Sequence, residues 1–172
     1  MVKKIITIIL ILVSINVVAQ ENDSKLKIQS ANIGFGGFYF KTILSEGGGV
    51  TLFADATFSI NKHLISSSYL TGAEIGILGS STYNFDEVSL LYGRELKVAN
   101  WLSFEGFAGL GFYNQNSKES YVVDGKSVSY PIRINTKFYF NKKFGMGFNT
   151  NYSINSVNNN FSTNLIFHYR FN

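Results

Sequence analysis

The sequence predicts an all-β protein, an eight-stranded antiparallel up-and-down transmembrane β-barrel. Three observations carry the prediction. Apolar and polar residues alternate at period two in eight successive stretches, as in strands with two unlike faces. Aromatic residues make up 16% of the chain, while charged residues reach only 15% against ~25% in soluble domains. Tight turns and longer polar segments alternate between the stretches, which gives a barrel with turns at one end and loops at the other.

The N-terminus is set aside first. Lys3 and Lys4 precede an apolar run from Ile5 to Val13, and Val17-Val18-Ala19 places small residues before Gln20. This reads as a cleaved signal peptide over 1–19, since the apolar run is short of the ~20 residues a spanning helix needs. Without Lys3 and Lys4 the formal charge falls from +4 to +2, so the basic balance does not point to nucleic acid. The chain has no cysteine, which excludes a disulfide framework and an acylated lipoprotein N-terminus. Residues 20–27 read as a polar periplasmic lead-in, and 28–172 as the barrel.

The first strand spans 28–41, with Ala31, Ile33, Phe35, Gly37 and Tyr39 opposite Asn32, Gly34 and Gly36. Parity blurs at Phe38 and Phe40, where a bulge or aromatic rim is expected. A loop over 42–49 ends in Gly47-Gly48-Gly49. The second strand, 50–60, sets Val50, Leu52, Ala54, Ala56 and Phe58 against Thr51, Phe53, Asp55 and Thr57, and Asn61-Lys62 turns it. The third, 63–78, sets Ile65, Tyr69 and Ala73 against Ser66, Ser68, Gly72 and Glu74, followed by a loop over 79–84.

The fourth, 85–96, opposes Val88, Leu90, Tyr92 and Leu96 to Glu87, Ser89, Gly93 and Glu95, with a turn over 97–100. The fifth, 101–114, opposes Leu102, Phe104, Leu110 and Phe112 to Ser103, Glu105, Gly109 and Gly111. In the excursion 115–127, Asp124-Gly125 is a strong hairpin signal, so a hairpin projecting beyond the membrane is expected. The sixth strand, 128–140, carries Arg133, Asn135, Lys137 and Tyr139 on its polar side. Asn141-Lys142-Lys143 turns into the seventh, 144–155, and 156–159 leads to the eighth, 160–171. There Phe161, Leu165, Phe167, Tyr169 and Phe171 oppose Ser162, Asn164, His168 and Arg170.

Volume decides which face looks outward. The interior of a barrel of ~8 strands is only just filled by side chains, so the bulky apolar rows belong outside and the Gly, Ser, Asn and Thr rows inside. Trp101, Phe140, Phe144, Tyr169 and Phe171 then form a periplasmic aromatic girdle, with Phe58 and Phe138 beside them. Tyr39, Tyr83, Phe112, Tyr130 and Phe161 lie near the opposite rim. Arg94 has outward parity close enough to a strand end to snorkel.

With its signal peptide ending Val-Ala-Gln, its strand rhythm and its aromatic-rich terminal strand, the chain resembles the small eight-stranded outer-membrane barrels. The likeness is greatest to the outer-membrane β-barrel domain family common in Bacteroidota. Nearly all of the mature chain is covered, with one departure, Asn172 after the terminal aromatic. The resemblance implies residence in the outer membrane. It also implies contact with outer-membrane lipid and with the barrel-insertion machinery, for which Tyr169 and Phe171 would be part of the signal. It carries no functional residues over.

The candidate site is the inward charge set: Asp55, Glu74, Glu87, Glu95 and Glu105 against Arg133, Lys137 and Arg170, with His168 nearby. Charges removed from bulk water must be paired, so a network closing a polar interior is expected. The role is then structural or surface-interacting, with 115–127 the segment offered to an extracellular partner. The alternative is a narrow gated pore in which Glu105 or Glu74 switches between Arg133 and Lys137. A lipid-modifying enzyme is the more remote alternative. It needs a nucleophile and base within reach, and both histidines, His63 and His168, fall at the periplasmic end. No metal-ligand spacing is present, Gly106 to Gly111 lacks the helix a nucleotide loop requires, and no cofactor is expected.

Overall fold

A computed structural model describes residues 26–41, 46–74, 83–117 and 124–171. The expected signal peptide (1–19), the lead-in to residue 25 and the segments 42–45, 75–82 and 118–123 lie outside the described residues, as does Asn172. The strands are β1 (Lys27–Lys41), β2 (Glu46–Ile60), β3 (His63–Ala73), β4 (Tyr83–Ala99), β5 (Leu102–Ser117), β6 (Gly125–Tyr139), β7 (Phe144–Asn155) and β8 (Asn160–Arg170). Each pairs antiparallel with the next, and β1 pairs with β8 from Ser30↔Arg170 to Phe40↔Asn160, so the barrel is closed. Closure leaves no open strand edge, the condition for backbone to cross hydrocarbon.

The outer wall is apolar all round. Ile33, Leu52, Tyr69, Leu90, Leu110, Ile132, Phe148 and Phe167, one from each strand in order, are exposed. Such a continuous belt is compatible with lipid and not with water. The start of β1, the end of β8 and the tight turns share one end, here the turn end. Asn61 adopts the left-handed conformation (φ 55°) at the β2–β3 turn. At the β6–β7 turn, the Asn141 side-chain oxygen accepts from the Lys143 and Phe144 amides, both at 2.8 Å. The other end is the loop end.

Several boundaries move. Gly47-Gly48-Gly49, expected in a loop, belongs to β2 and pairs with Phe40, Tyr39 and Phe38. No bulge occurs at Phe38 or Phe40; the irregularity of that ladder is between Ile28 and Ser30. β4 runs through part of the expected turn, with an irregularity between Lys97 and Ala99. β5 and β6 continue into the flanks of 115–127. β3 is described to Ala73, and residues 75–78 of its expected course to Leu78 lie outside the described residues. The β5–β6 ladder stops at Ala108↔Ile132 and resumes at Gly111↔Ser129. Pro131, which has no N–H to give, stands in that interval.

Candidate functional site

The lumen is filled by two layers of different chemistry. Its turn half holds the ion pairs, whereas Glu87 lies in the loop half, in register with Leu70 and Tyr113. Arg133, 1% exposed, lies 3.3 Å from Asp55 and donates to the Ser66 hydroxyl at 2.5 Å. Its guanidinium also sits between two rings, 4.6 Å from the Phe107 centroid and 5.4 Å from that of Phe53. A planar, weakly hydrated cation suits this position better than a lysine would. Lys137 donates to Glu105 at 2.7 Å, and both side chains are fully buried.

A chain of amides ends on the same carboxylate. Asn135 donates to Glu105 at 3.1 Å, Asn149 to Asn135 at 2.8 Å, and Asn164 to Asn149 at 3.2 Å. Thr51 closes it, donating to Asn164 at 2.6 Å. Every donor points toward Glu105, so each bond polarises the next and the network links five strands. Gly36 of β1 is register partner to both Thr51 and Asn164, and its lack of a side chain lets them meet across β1.

The remaining predicted residues divide. Asn32 donates to Asp55 at 2.5 Å while its oxygen meets His168 Nδ1 at 2.6 Å, so Nδ1 carries the proton. Arg170 bonds Glu95 and the Tyr139 hydroxyl nearer the turn end, and its guanidinium lies over the Tyr139 ring. Glu87 accepts from Ser153 at 2.5 Å and forms no ion pair among the described residues. Glu74 does not join the set. It follows the last residue of β3 at the loop end, beside Gly47 and Phe40.

The loop half adds an apolar cluster to the expected polar interior. Phe38, Phe40, Phe53, Leu70, Tyr83, Phe85, Tyr113 and Ile166 form a buried apolar cluster there. Phe38 lies edge-on to Phe85 at 5.0 Å, and Phe40 stacks on Tyr83 at 4.4 Å. Tyr83, expected at the outer rim, points inward because β4 begins at that residue and its odd positions face the lumen. The Tyr83 hydroxyl meets those of Tyr113 at 2.8 Å and the Gln115 oxygen at 2.9 Å. Leu64, Leu91 and Phe107 form a second, smaller cluster.

Glycines make the room. Gly72 is paired with Phe85, Gly93 with both Leu64 and Phe107, and Gly34 with both Phe53 and Ile166. A Cβ on Gly72 would lie 2.3 Å from the Phe85 ring. Gly34, Gly72 and Gly93 are holes for specific inward knobs. This was the signal available in the sequence: single bulky residues sharing parity with glycines.

The outer face carries the expected rings at the turn end. Trp101, Phe140, Phe144 and Phe171 are exposed and Tyr169 is half-buried. Trp101 stacks on Phe138 at 6.2 Å, and Tyr169 stands edge-on to Phe144 and Phe171 at 5.0 and 4.9 Å. The ends differ in charge. The turn end carries Lys27, Lys62, Arg94, Lys97, Lys142 and Lys143 besides the Arg170–Glu95 pair. The loop end carries Glu46, Glu74, Asp86 and Asp124 against Lys41 and Lys126 among the described residues.

An apolar wall, a lumen occupied by buried side chains and aromatic residues at the turn-end rim define the fold class as an eight-stranded β-barrel of the outer-membrane type. Solved structures of that class superpose on it. Neisserial surface protein A matches with a TM-score of 0.71 at 8% identity, over 86% of this chain and 99% of that one. The N-terminal barrel domain of Pseudomonas aeruginosa OprF gives 0.61 at 15% identity, over 86% and 100%. Ail, the attachment invasion locus protein of Yersinia pestis, gives 0.59 at 18%, over 84% and 99%. No protein-family model and no curated protein matches the chain. The likeness is one of fold.

Proposed function

We propose that this chain is an outer-membrane barrel with a structural or surface-interacting role, acting at its ends and not through its lumen. The carrying observation is the filled lumen, where a paired charge layer and an aromatic layer lie in series. An ion would have to displace buried partners of Arg133 and Lys137 and then part the rings around Phe85. Short turns mark the periplasmic end, so the turn end faces the periplasm and the loop end faces outward. In this reading Tyr169 and Phe171 belong to the signal read by the insertion machinery. Planar-bilayer recording of the intact protein is expected to stay silent; discrete conductance altered by Glu105→Ala or Arg133→Ala would overturn the sealed lumen in favour of the pore.

The outward contact is assigned to the β5–β6 hairpin. These strands have 16 and 15 residues, more than the ~9–11 that cross a bilayer, so their loop-end residues extend past the apolar belt on either side of 118–123. Replacing 115–127 with a short turn should abolish binding to cells or matrix while the barrel still folds; unchanged binding would remove this assignment. Ail has been solved in complex with the heparin analogue sucrose octasulfate. The acidic excess at the loop end here argues against a sulfated polyanion as the partner. Catalysis is not proposed. His63 sits on the outer wall against the Tyr92 hydroxyl, and His168 is enclosed against Asn32.

A further inference from the structure

The turn end has two adjoining concavities separated by the β6–β7 turn. Inside the mouth is a cup of ≈ 630 Å³ lined by Lys97, Asn100, Ser103, Tyr139, Lys142 and Arg170, among others. On the outer wall is an apolar groove of ≈ 490 Å³ whose side chains include Ile33, Phe140, Phe144, Met146, Phe167 and Tyr169. Phe140 and Phe144 belong to the groove, whereas Asn141 and Lys142 between them line the cup. The Asn141 oxygen, accepting from two backbone amides, fixes the turn that presents the lysines.

Lys97 and Lys142 are exposed and enter no ion pair among the described residues. Among the described residues, the one acid at this end, Glu95, is already taken by Arg170, whose Nε lacks a hydrogen-bond partner. The cup is therefore an unneutralised cationic recess at headgroup depth, next to an acyl-sized slot bounded by girdle aromatics.

We infer that the turn end binds an anionic phospholipid, with its phosphate in the Lys97–Lys142–Arg170 cup and an acyl chain passing over the β6–β7 turn into the groove. Charge complementarity selects this occupant, since a zwitterionic headgroup would bring its own cation into a recess with no free acid among its described residues. The inference rests on the proposed orientation, in which this end meets the phospholipid leaflet.

The test uses the folded barrel in nanodiscs mixing phosphatidylglycerol with phosphatidylcholine, followed by native mass spectrometry of the lipid retained after release into neutral detergent. Phosphatidylglycerol should be retained preferentially. Lys97→Gln/Lys142→Gln should cut that preference about 30-fold, at about fivefold per lysine near the membrane surface. Met146→Trp, which fills the groove from the lipid side, should lower lipid retention without changing the affinity for glycerol phosphate. Equal retention of the two lipids, or a preference that survives the double lysine substitution, would overturn the inference. If glycerol phosphate bound as tightly as the lipid and Met146→Trp changed nothing, the cup would take free phosphate and the lipid would be excluded. Heat-modifiable migration of each variant separates these outcomes from failure of the barrel reading, which would leave no folded band at all.

Discussion

In the turn half of the lumen, two buried cations are each held by a carboxylate and by further polar or aromatic neighbours. In the loop half, rings pack against one another and against glycine, with Glu87, Gln115 and the small polar side chains of β6–β8 beside them. Both halves fill a cylinder too narrow to leave empty, yet they fail in different ways. A charged layer fails when one member is removed, because its partner stays buried and unpaired. An aromatic layer fails when a volume changes by a methyl group, because knob and hole were matched.

The largest effect is expected in the charged half. Glu105→Ala strands Lys137 and removes the acceptor at the end of the amide chain. Breaking a buried pair from one side costs about 3–5 kcal/mol, measured as urea unfolding of the barrel in lipid vesicles. Glu105→Leu/Lys137→Met should lose less than Glu105→Ala alone, because no charge is left behind. A double variant as unstable as the single would mean that Lys137 reaches water and that the pairing contributes little.

The two halves were unequally legible in the sequence. Strand parity placed Asp55, Glu105, Arg133 and Lys137 on the inward face, because a charge inside an apolar-walled barrel has nowhere else to point. Which acid meets which base depends on stagger between strands. Arg133 of β6 reaches Asp55 of β2 across the lumen, a contact no local pattern encodes. Phe53 and Phe85 had inward parity too, but the expectation that bulk goes outward hid the aromatic layer. It held as an average and failed at Phe38, Phe40, Phe53, Phe85 and Ile166, each paired with a glycine, and also at Leu70, Tyr83 and Tyr113, which are not. Glu74 misled for a related reason. Its parity matched the charge set, but its height, set by the end of β3, did not.

Next in size comes the aromatic half. Gly72→Ala puts a Cβ 2.3 Å from the Phe85 ring and 3.0 Å from Phe38. Overpacking of this kind costs about 1–3 kcal/mol. Phe85→Leu in the same chain should restore part of the loss, which would identify the clash and not backbone strain as its cause. An unchanged midpoint for Gly72→Ala would show that the rings move freely and that the layer is loosely packed.

Between the two chemistries lies the amide chain. Asn149→Leu removes a donor to Asn135 and an acceptor for Asn164 while keeping the volume roughly constant. Each orphaned buried group costs about 1–3 kcal/mol unless water reaches it. The expected loss is at the lower end if the turn half is hydrated and at the upper end if it is dry. The same unfolding measurement therefore reports on water in the charged layer.

Tyr83→Phe should show the smallest change. The substitution deletes one hydroxyl from the Tyr83–Tyr113–Gln115 triangle but leaves the ring stack on Phe40 in place. The Tyr113 hydroxyl still donates to Gln115 at 3.2 Å, so that pair stays bonded. The expected cost is that of one net hydrogen bond, about 1 kcal/mol. A loss near that of Glu105→Ala would show that the triangle, and not the surrounding rings, holds the loop half closed. The contrast would then be between two polar networks, with the aromatic side chains acting only as filler around the second.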